Sequence, residues 1–381
     1  MRVQKTADEI TRELDASGAD AFVHVGDRFD DFLRYFTGFS GPDRDYAFVY
    51  VAGRAILCAP RLFGDQARRE FDGDEVRTSK QQTGTTAAAR AIETVREFAN
   101  AQQILVPNHT SHRTVTALAN HFEIVTTDAD FGRARKTPDE RAAIAAVQTA
   151  AQRGMNRAET VLAETTVRDG SFHWDGTMLT TERLRREVNA VLAQHGIRDA
   201  GNTVIGAGPS CADLHFTGED EIRPGETVLL DISPRGSRGY YGDLTRTFVV
   251  GDVGDWERAA YDAVRDAQDA ALSTLDSGAG IPAKIVHQRV SETLRNHGFD
   301  VGDVPVGMYH GTGHGVGLSL HESPSLSSNE RLEAGTVVTV EPGVYDPERG
   351  GVRIEDLVVV TESGYENLTD YPRRIRPSSS R

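Results

Sequence analysis

HGTGHGVGLSLHE, residues 310–322, puts three histidines and four glycines into thirteen positions. A strand that only packs would alternate apolar and polar side chains, so this density of imidazole on bare backbone points to chemistry. Two stretches follow closely, VVTVEPGVY (337–345) and GVRIEDLVVV (351–360), and each sets an acid among β-forming residues. Upstream, LLDIS (229–233) and YYGDLTRTF (240–248) do the same with aspartates. Together the motifs single out Asp231, Asp243, His314, Glu341 and Glu355. Burying carboxylates unpaired is costly, and metal coordination removes that penalty. Four carboxylates and one imidazole make a poor structural cage but a good dinuclear centre, because two divalent cations need carboxylates that bridge. Oxygen-rich ligation with one imidazole favours manganese, cobalt or iron over a structural zinc.

Each motif also has a local reading. Asp231 ends an apolar strand, and Asp243 opens another after the glycine-rich turn PRGSRGYYG, so a hairpin aims both carboxylates at one point. Gly313 and Gly315 flank His314, where missing side chains let metal and substrate approach the backbone. Glu341 precedes Pro342-Gly343, a turn just past the sheet. Arg353 lies two residues before Glu355, so both should project from one strand face, with the arginine clamping a ligand carboxylate. GVGLSLH is read as a strand.

Working outward, a chain of 381 residues is long for a single core, and two domains are expected. The polar N-terminus shows no signal-peptide core, and no stretch approaches the roughly 20 apolar residues that span a bilayer. Cys58 and Cys211, the only cysteines, exclude a disulfide framework and a cysteine zinc site and read as buried small side chains. A reducing cytoplasm fits. A net charge of −15 argues against nucleic acid or an anionic membrane as the main partner. Only Lys5, Lys80, Lys136 and Lys284 are lysines. That bias suits either a salt-accumulating source or an arginine-favouring genome.

Residues 1–134 alternate short apolar runs with helical stretches. Strands are expected at 21–25, 46–51, 55–60, 103–107 and 122–127, helices at 7–18 and 86–99, and a hairpin turn at Gly53. This is an α/β unit with no dense cluster of ligand-type residues, so it is expected to shape or oligomerise a site. Residues 135–381 form the second domain. Thr137, Pro138 and Glu140 spell an N-cap, a first-turn proline and a capping box ahead of a long Ala-rich helix. A helix stopping at Gly196 follows, with two more between Asp255 and His297. Helices set apart from a mostly antiparallel sheet make this domain α+β. The RRIRPSSSR tail is expected to be disordered.

The five motifs, their order and the α/β unit ahead of them closely resemble the M24 metallopeptidases of pita-bread fold, above all the Xaa-Pro dipeptidases (prolidases) and Xaa-Pro aminopeptidases. HGTGHGVGL and VEPGVY…VRIED carry the specific part of the likeness; FLRYFTGFSG (32–41) and RKTPDERAAI (135–144) extend it to a creatinase-type N-terminal domain and the domain junction. The resemblance implies two divalent metals per subunit, with manganese first and cobalt, iron or zinc as alternatives. Asp231 would hold one ion, Asp243 and Glu355 both, and His314 and Glu341 the second. It implies attack on an Xaa-Pro bond by a metal-bridging hydroxide, with Glu341 as proton shuttle. His215 (in ADLHFTG), His310 and His321 take the family's substrate-side positions. On a regular strand His321, seven positions from His314, would face away, so a bend at Gly315–Gly317 is expected. A homodimer is implied, its N-terminal domain gating the neighbour's site.

Two departures stand out. Asp231 and Asp243 lie one position further apart than in most relatives, which is expected to lengthen the hairpin tip. Ser325 stands where some archaeal prolidases carry an arginine for a dipeptide's carboxylate, which leaves dipeptidase and aminopeptidase specificity both open. The alternatives within the fold are a sulfonium-compound lyase and a creatinase-like amidinohydrolase.

Overall fold

The computed structural model describes residues 2–78 and 86–379. The chain forms two compact units, Met1–Arg133 and Ala134–Arg381. In the first, α1 (Arg2–Ser17), β1 (Ala21–Gly26) and α2 (Asp31–Thr37) precede the hairpin β2 (Tyr46–Val51) and β3 (Arg54–Ala59). Then come α3 (Gly64–Glu70), β4 (Glu75–Thr78), α4 (Ala87–Phe98), β5 (Gln103–Pro107), α5 (His112–Ala119) and β6 (Glu123–Thr127). The strands make one mixed sheet in the order β4-β3-β2-β1-β5-β6. Ala52 and Gly53, at φ 51° and 73°, form the β2–β3 turn at the expected place, a left-handed pair that matches strand twist. The elements α2, α3, α5 and β4 were not anticipated; eight residues or fewer give too short a window for a clear period.

The second unit holds α6 (Pro138–Ala163), the small strands β7 (Thr166–Arg168), β8 (Ser171–Trp174) and β9 (Thr177–Met178), α7 (Thr181–Gln194), β10 (Thr203–Ala207), β11 (Thr227–Ile232) and β12 (Leu244–Val249). After these come α8 (Asp255–Leu275), α9 (Ala283–Asn296), β13 (Val337–Val340), β14 (Gly343–Asp346), β15 (Gly350–Arg353), β16 (Asp356–Thr361) and β17 (Gly364–Asn367). The unit has two halves built on one plan. In one, α6 and α7 bury their apolar faces on the antiparallel sheet β10-β11-β12. In the other, α8 and α9 cover β13-β16-β17. Thr137 caps α6 through the Glu140 amide, and the Glu140 carboxylate returns the bond to the Thr137 amide, as the motif predicts. No helix among the described residues is long and apolar enough to cross a membrane.

Three expectations fail here. GVGLSLH is not a strand. Residues 317–321 form consecutive bends, and Gly315 pairs with both Glu322 and Val338. The bend therefore begins at Gly317, at the end of the predicted Gly315–Gly317 stretch, and runs on to His321. The ladder also breaks at Ile354–Glu355, so Arg353 ends β15 and Glu355 stands between two strands. The tail is ordered as far as it is described. Ile375 is buried, and the Glu159 carboxylate accepts bonds from Arg374 Nε (2.7 Å) and the Ser378 amide (3.0 Å). Ser380 and Arg381 lie outside the described residues.

Candidate metal centre

The β11–β12 hairpin supplies the first two acids. Asp231 faces Thr245 across it, Ile232 faces Leu244, and Arg235 still bridges Tyr241. The register is unbroken, so any extra length sits in the Gly236–Tyr240 tip. With a period of two, Asp231, Ser233, Asp243 and Thr245 share one face. Ser233 Oγ lies 3.0 Å from Asp231 Oδ1 and 2.9 Å from Asp243 Oδ1, and its single proton serves one of them at a time. Gln148, fully buried on α6, grips the Asp243 backbone at both ends. Its Oε1 accepts the Asp243 amide (2.8 Å), and its Nε2 donates to the Asp243 carbonyl (2.7 Å). A Cβ on Gly242 would stand 2.9 Å from the Gln148 backbone nitrogen, which explains the glycine before the acid.

The other half brings His314, Glu341 and Glu355. Thr339 ties the first two together. Its Oγ1 accepts the His314 amide (3.0 Å) and donates to Glu341 Oε1 (3.1 Å). Gly313 and Gly315 leave room for the chain itself, because added Cβ atoms would lie 2.1 Å from the Thr339 carbonyl and 2.3 Å from the Ser323 carbonyl. This close backbone packing stands beside the expected reason, access for metal and substrate, since Gly313 also lines the site's cavity. Glu355 Oε2 accepts from Thr245 Oγ1 (2.7 Å). Arg246, wholly buried, donates to the Glu355 carbonyl (2.6 Å) and to Asp356 Oδ1 (2.8 Å), holding the backbone where the strand breaks. Arg353 then spans the cluster, donating to Asp231 Oδ2 (2.6 Å), Thr245 Oγ1 (3.1 Å) and the Tyr345 hydroxyl (3.1 Å).

All nine predicted side chains line one cavity of about 480 Å³, with Ser325 also on its wall. Asp243, His314 and Glu355 each offer a ligand-type atom within 4.8 Å of the other two. The bend at 317–321 brings the His321 ring to 4.2 Å from that of His314. His310 differs from the other histidines. Its Nδ1 lies 2.7 Å from the Gly311 carbonyl and its Nε2 2.9 Å from the Tyr345 hydroxyl, so both ring nitrogens are engaged by the protein. Ser233 and Thr245 were within reach of the sequence, two positions after Asp231 and Asp243. Gln148, Tyr345 and Arg246 carried no such signal.

The electrostatics are lopsided. Four carboxylates face one buried guanidinium. Burial, then repulsion from Asp231 and Glu341, pushes the Asp243 carboxyl well above the usual range. Glu355 is raised in the same way by burial and by Asp243. Burial lowers the His314 imidazole and keeps it neutral. Its Nδ1 faces the Gly315 carbonyl at 3.0 Å, which places the ring proton there. The unprotonated Nε2 then points at Glu341 Oε1 (3.3 Å) and Asp243 Oδ2 (3.9 Å). Lone pairs facing lone pairs in a buried site want a cation between them.

A sequence profile of metallopeptidase family M24 matches residues 139–362. The chain belongs to this family. A Xaa-Pro dipeptidase of Pyrococcus furiosus is 35% identical over 205 residues, 52% of this chain and 57% of that protein. Thus the matched part spans little more than half of that relative's length. Among solved structures, the prolidase from Pyrococcus furiosus superposes with a TM-score of 0.79 at 26% identity, covering 95% of this chain and 99% of that one. The X-Pro aminopeptidase from Thermotoga maritima gives 0.78 at 24%, covering 94% and 97%. The fold is therefore the pita-bread fold of the M24 enzymes, over nearly the whole chain. M24 membership implies divalent metal ions, and the acid cluster with the exposed lone pair of His314 Nε2 fits them.

Proposed function

We propose that this chain hydrolyses the peptide bond before proline in short peptides, with two divalent cations held by Asp231, Asp243, His314, Glu341 and Glu355. The observation that carries the proposal is the convergence of those five side chains, Asp243 and Glu355 buried among them, on one cavity. Ionised, the four acids leave three negative charges beyond Arg353, a surplus that divalent cations offset. When bound, such ions supply a Lewis acid for the scissile carbonyl and lower the pKa of a water toward neutrality. We place manganese first, with cobalt, iron or zinc as alternatives.

The chain's own residues do the rest. Glu341, held by Thr339, takes the water proton and passes it to the leaving nitrogen. His215 and His321, both exposed on the cavity wall, face the substrate carbonyl and stabilise negative charge as it develops. His310, through Tyr345, positions Arg353. His321→Ala should lower kcat by about 10²–10³-fold, the scale for one such donor, while bound metal stays at the level of the unaltered chain. Loss of metal in step with activity would show that His321 is a ligand instead.

The cavity also bears on substrate length. Arg353 is the one Arg or Lys among the described residues lining it, and all three arms of its guanidinium are committed. A dipeptide's free carboxylate meets Ser325 and no charge-assisted partner there. We therefore favour peptides that continue past proline, with Xaa-Pro dipeptides as the second reading. Chelated protein resupplied with Mn, Co or Zn, in low and high salt, should cleave Gly-Pro-Gly faster than Gly-Pro and leave Gly-Ala-Gly intact. Cleavage of the dipeptide alone reverses the preference. Failure on every Xaa-Pro peptide overturns the peptidase reading and favours the lyase or amidinohydrolase branch.

A further inference from the structure

The sequence of the first unit shows no ligand cluster, yet its fold assembles one. His24 lies on β1, Asp30 caps α2, and His109 follows β5. The strands β1 and β5 are parallel neighbours, Ala21 beside Ile104 and Phe22 beside Leu105, so the second half of β1 runs level with and past the end of β5. From there the chain departs in opposite directions, to β2 on one side and to β6 on the other. Open sheets bind ligands at such a parting point, outside the carboxyl ends of their strands.

The side chains suit the place. His24 Nε2 is 2.8 Å from Asp30 Oδ1, the His24 and His109 rings are 5.3 Å apart, and one donor atom from each residue lies within 4.8 Å of the other two. Gly26 keeps the space open, since a Cβ there would stand 2.6 Å from Asp30 Oδ2. Asp30 is fixed by accepting the Leu33 amide (2.7 Å). His24 is 1% exposed, and its Nδ1 has no hydrogen-bond partner among the described residues. Pairing with Asp30 therefore does not account for the whole ring, and it leaves His109 unexplained. His109 is exposed, which gives an ion a way in, and its ring rests against Phe32 at 4.7 Å.

We propose that His24, Asp30 and His109 form a second metal site, separate from the acid-rich cavity, for a transition dication of the zinc class (Zn²⁺, Co²⁺ or Ni²⁺). Two imidazoles and one carboxylate with a fourth position open to solvent is a donor set these ions take, whereas magnesium and calcium prefer oxygen alone. Tetrahedral ligands at zinc distances sit about 3.3 Å apart, so the cluster must tighten slightly, and the exposed His109 is free to close it. A bound ion ties the first turn of α2 to the β5–α5 turn.

The test uses the full chain, stripped by chelator and titrated with Zn²⁺ by calorimetry and with Co²⁺ by visible absorption. His109→Ala and Asp30→Asn should each bind one equivalent less than the unaltered chain and lose one component of the Co²⁺ spectrum. Asparagine is as good an N-cap as aspartate, so the second variant keeps the helix start and guards against a folding artefact. Hydrolysis of Gly-Pro-Gly should be unchanged in both. Equal stoichiometry and identical Co²⁺ spectra in all three proteins would overturn the proposal. The one-equivalent difference stands or falls whether or not the acid-rich cavity proves to be a peptidase centre.

Discussion

Asp243→Ala is expected to reduce kcat/KM on Xaa-Pro peptides by at least ~10³-fold, measured at saturating Mn²⁺ or Co²⁺ with bound metal counted in parallel. The reasoning starts from position. Asp243 reaches both halves of the unit, bonded to Ser233 beside Asp231 and 3.9 Å from His314 Nε2. On the two-ion reading, loss of a shared ligand would forfeit several kcal/mol of charge stabilisation, and each 1.4 kcal/mol is tenfold in rate. Near-normal turnover in the metal-saturated assay would sink the two-ion reading. Asp243→Asn adds a second readout of opposite sign. In chelated protein it removes a buried charge repelled by Asp231 and Glu341, so Tm should rise by a few degrees, on the order of 1–2 kcal/mol. With metal present the same variant should melt below the unaltered chain. A shift of the same sign in both conditions would mean that the acid is not a ligand.

What could be read from the sequence follows a physical divide. Asp231, Asp243, Glu341 and Glu355 were legible because each is an ionisable group inside an apolar, β-forming run, where burial without a partner is costly. The helices α6 to α9 were legible because they are long and periodic, with side-chain caps opening α6 and α7. Three kinds of feature were not. Contacts between distant positions leave no local trace: Gln148 reaches Asp243 across 95 positions and Arg246 reaches Glu355 across 109. The full extent of the bend, expected at Gly315–Gly317 but running through 317–321, was not legible, and neither was the approach of the Thr339 and Ser323 carbonyls that keeps Gly313 and Gly315 free of side chains. The tail reads as disordered by composition, since the Glu159 carboxylate that binds Arg374 and Ser378 lies more than 200 positions upstream.

Arg353 should separate charge from geometry. It is 4% exposed and bonded to Asp231, Thr245 and Tyr345, and the surrounding acids hold its own ionisation even though burial opposes it. Arg353→Leu leaves Asp231 without its counter-charge and should cost about 3–5 kcal/mol, seen as a Tm drop of roughly 6–20 °C. A Leu variant as stable as the unaltered chain would show that the pair contributes nothing. Arg353→Lys keeps the charge but replaces a planar fork by a single point that cannot serve three partners. It should recover much of the stability while metal affinity or turnover stays about 10–100-fold down, as expected when the group that orients a ligand is lost. Full recovery of both by lysine would mean that the positive charge alone matters and that the three-way hydrogen bonding is incidental. The hydrogen bonds argue otherwise, because Thr245 and Tyr345 link that one guanidinium to Glu355 on one side and His310 on the other.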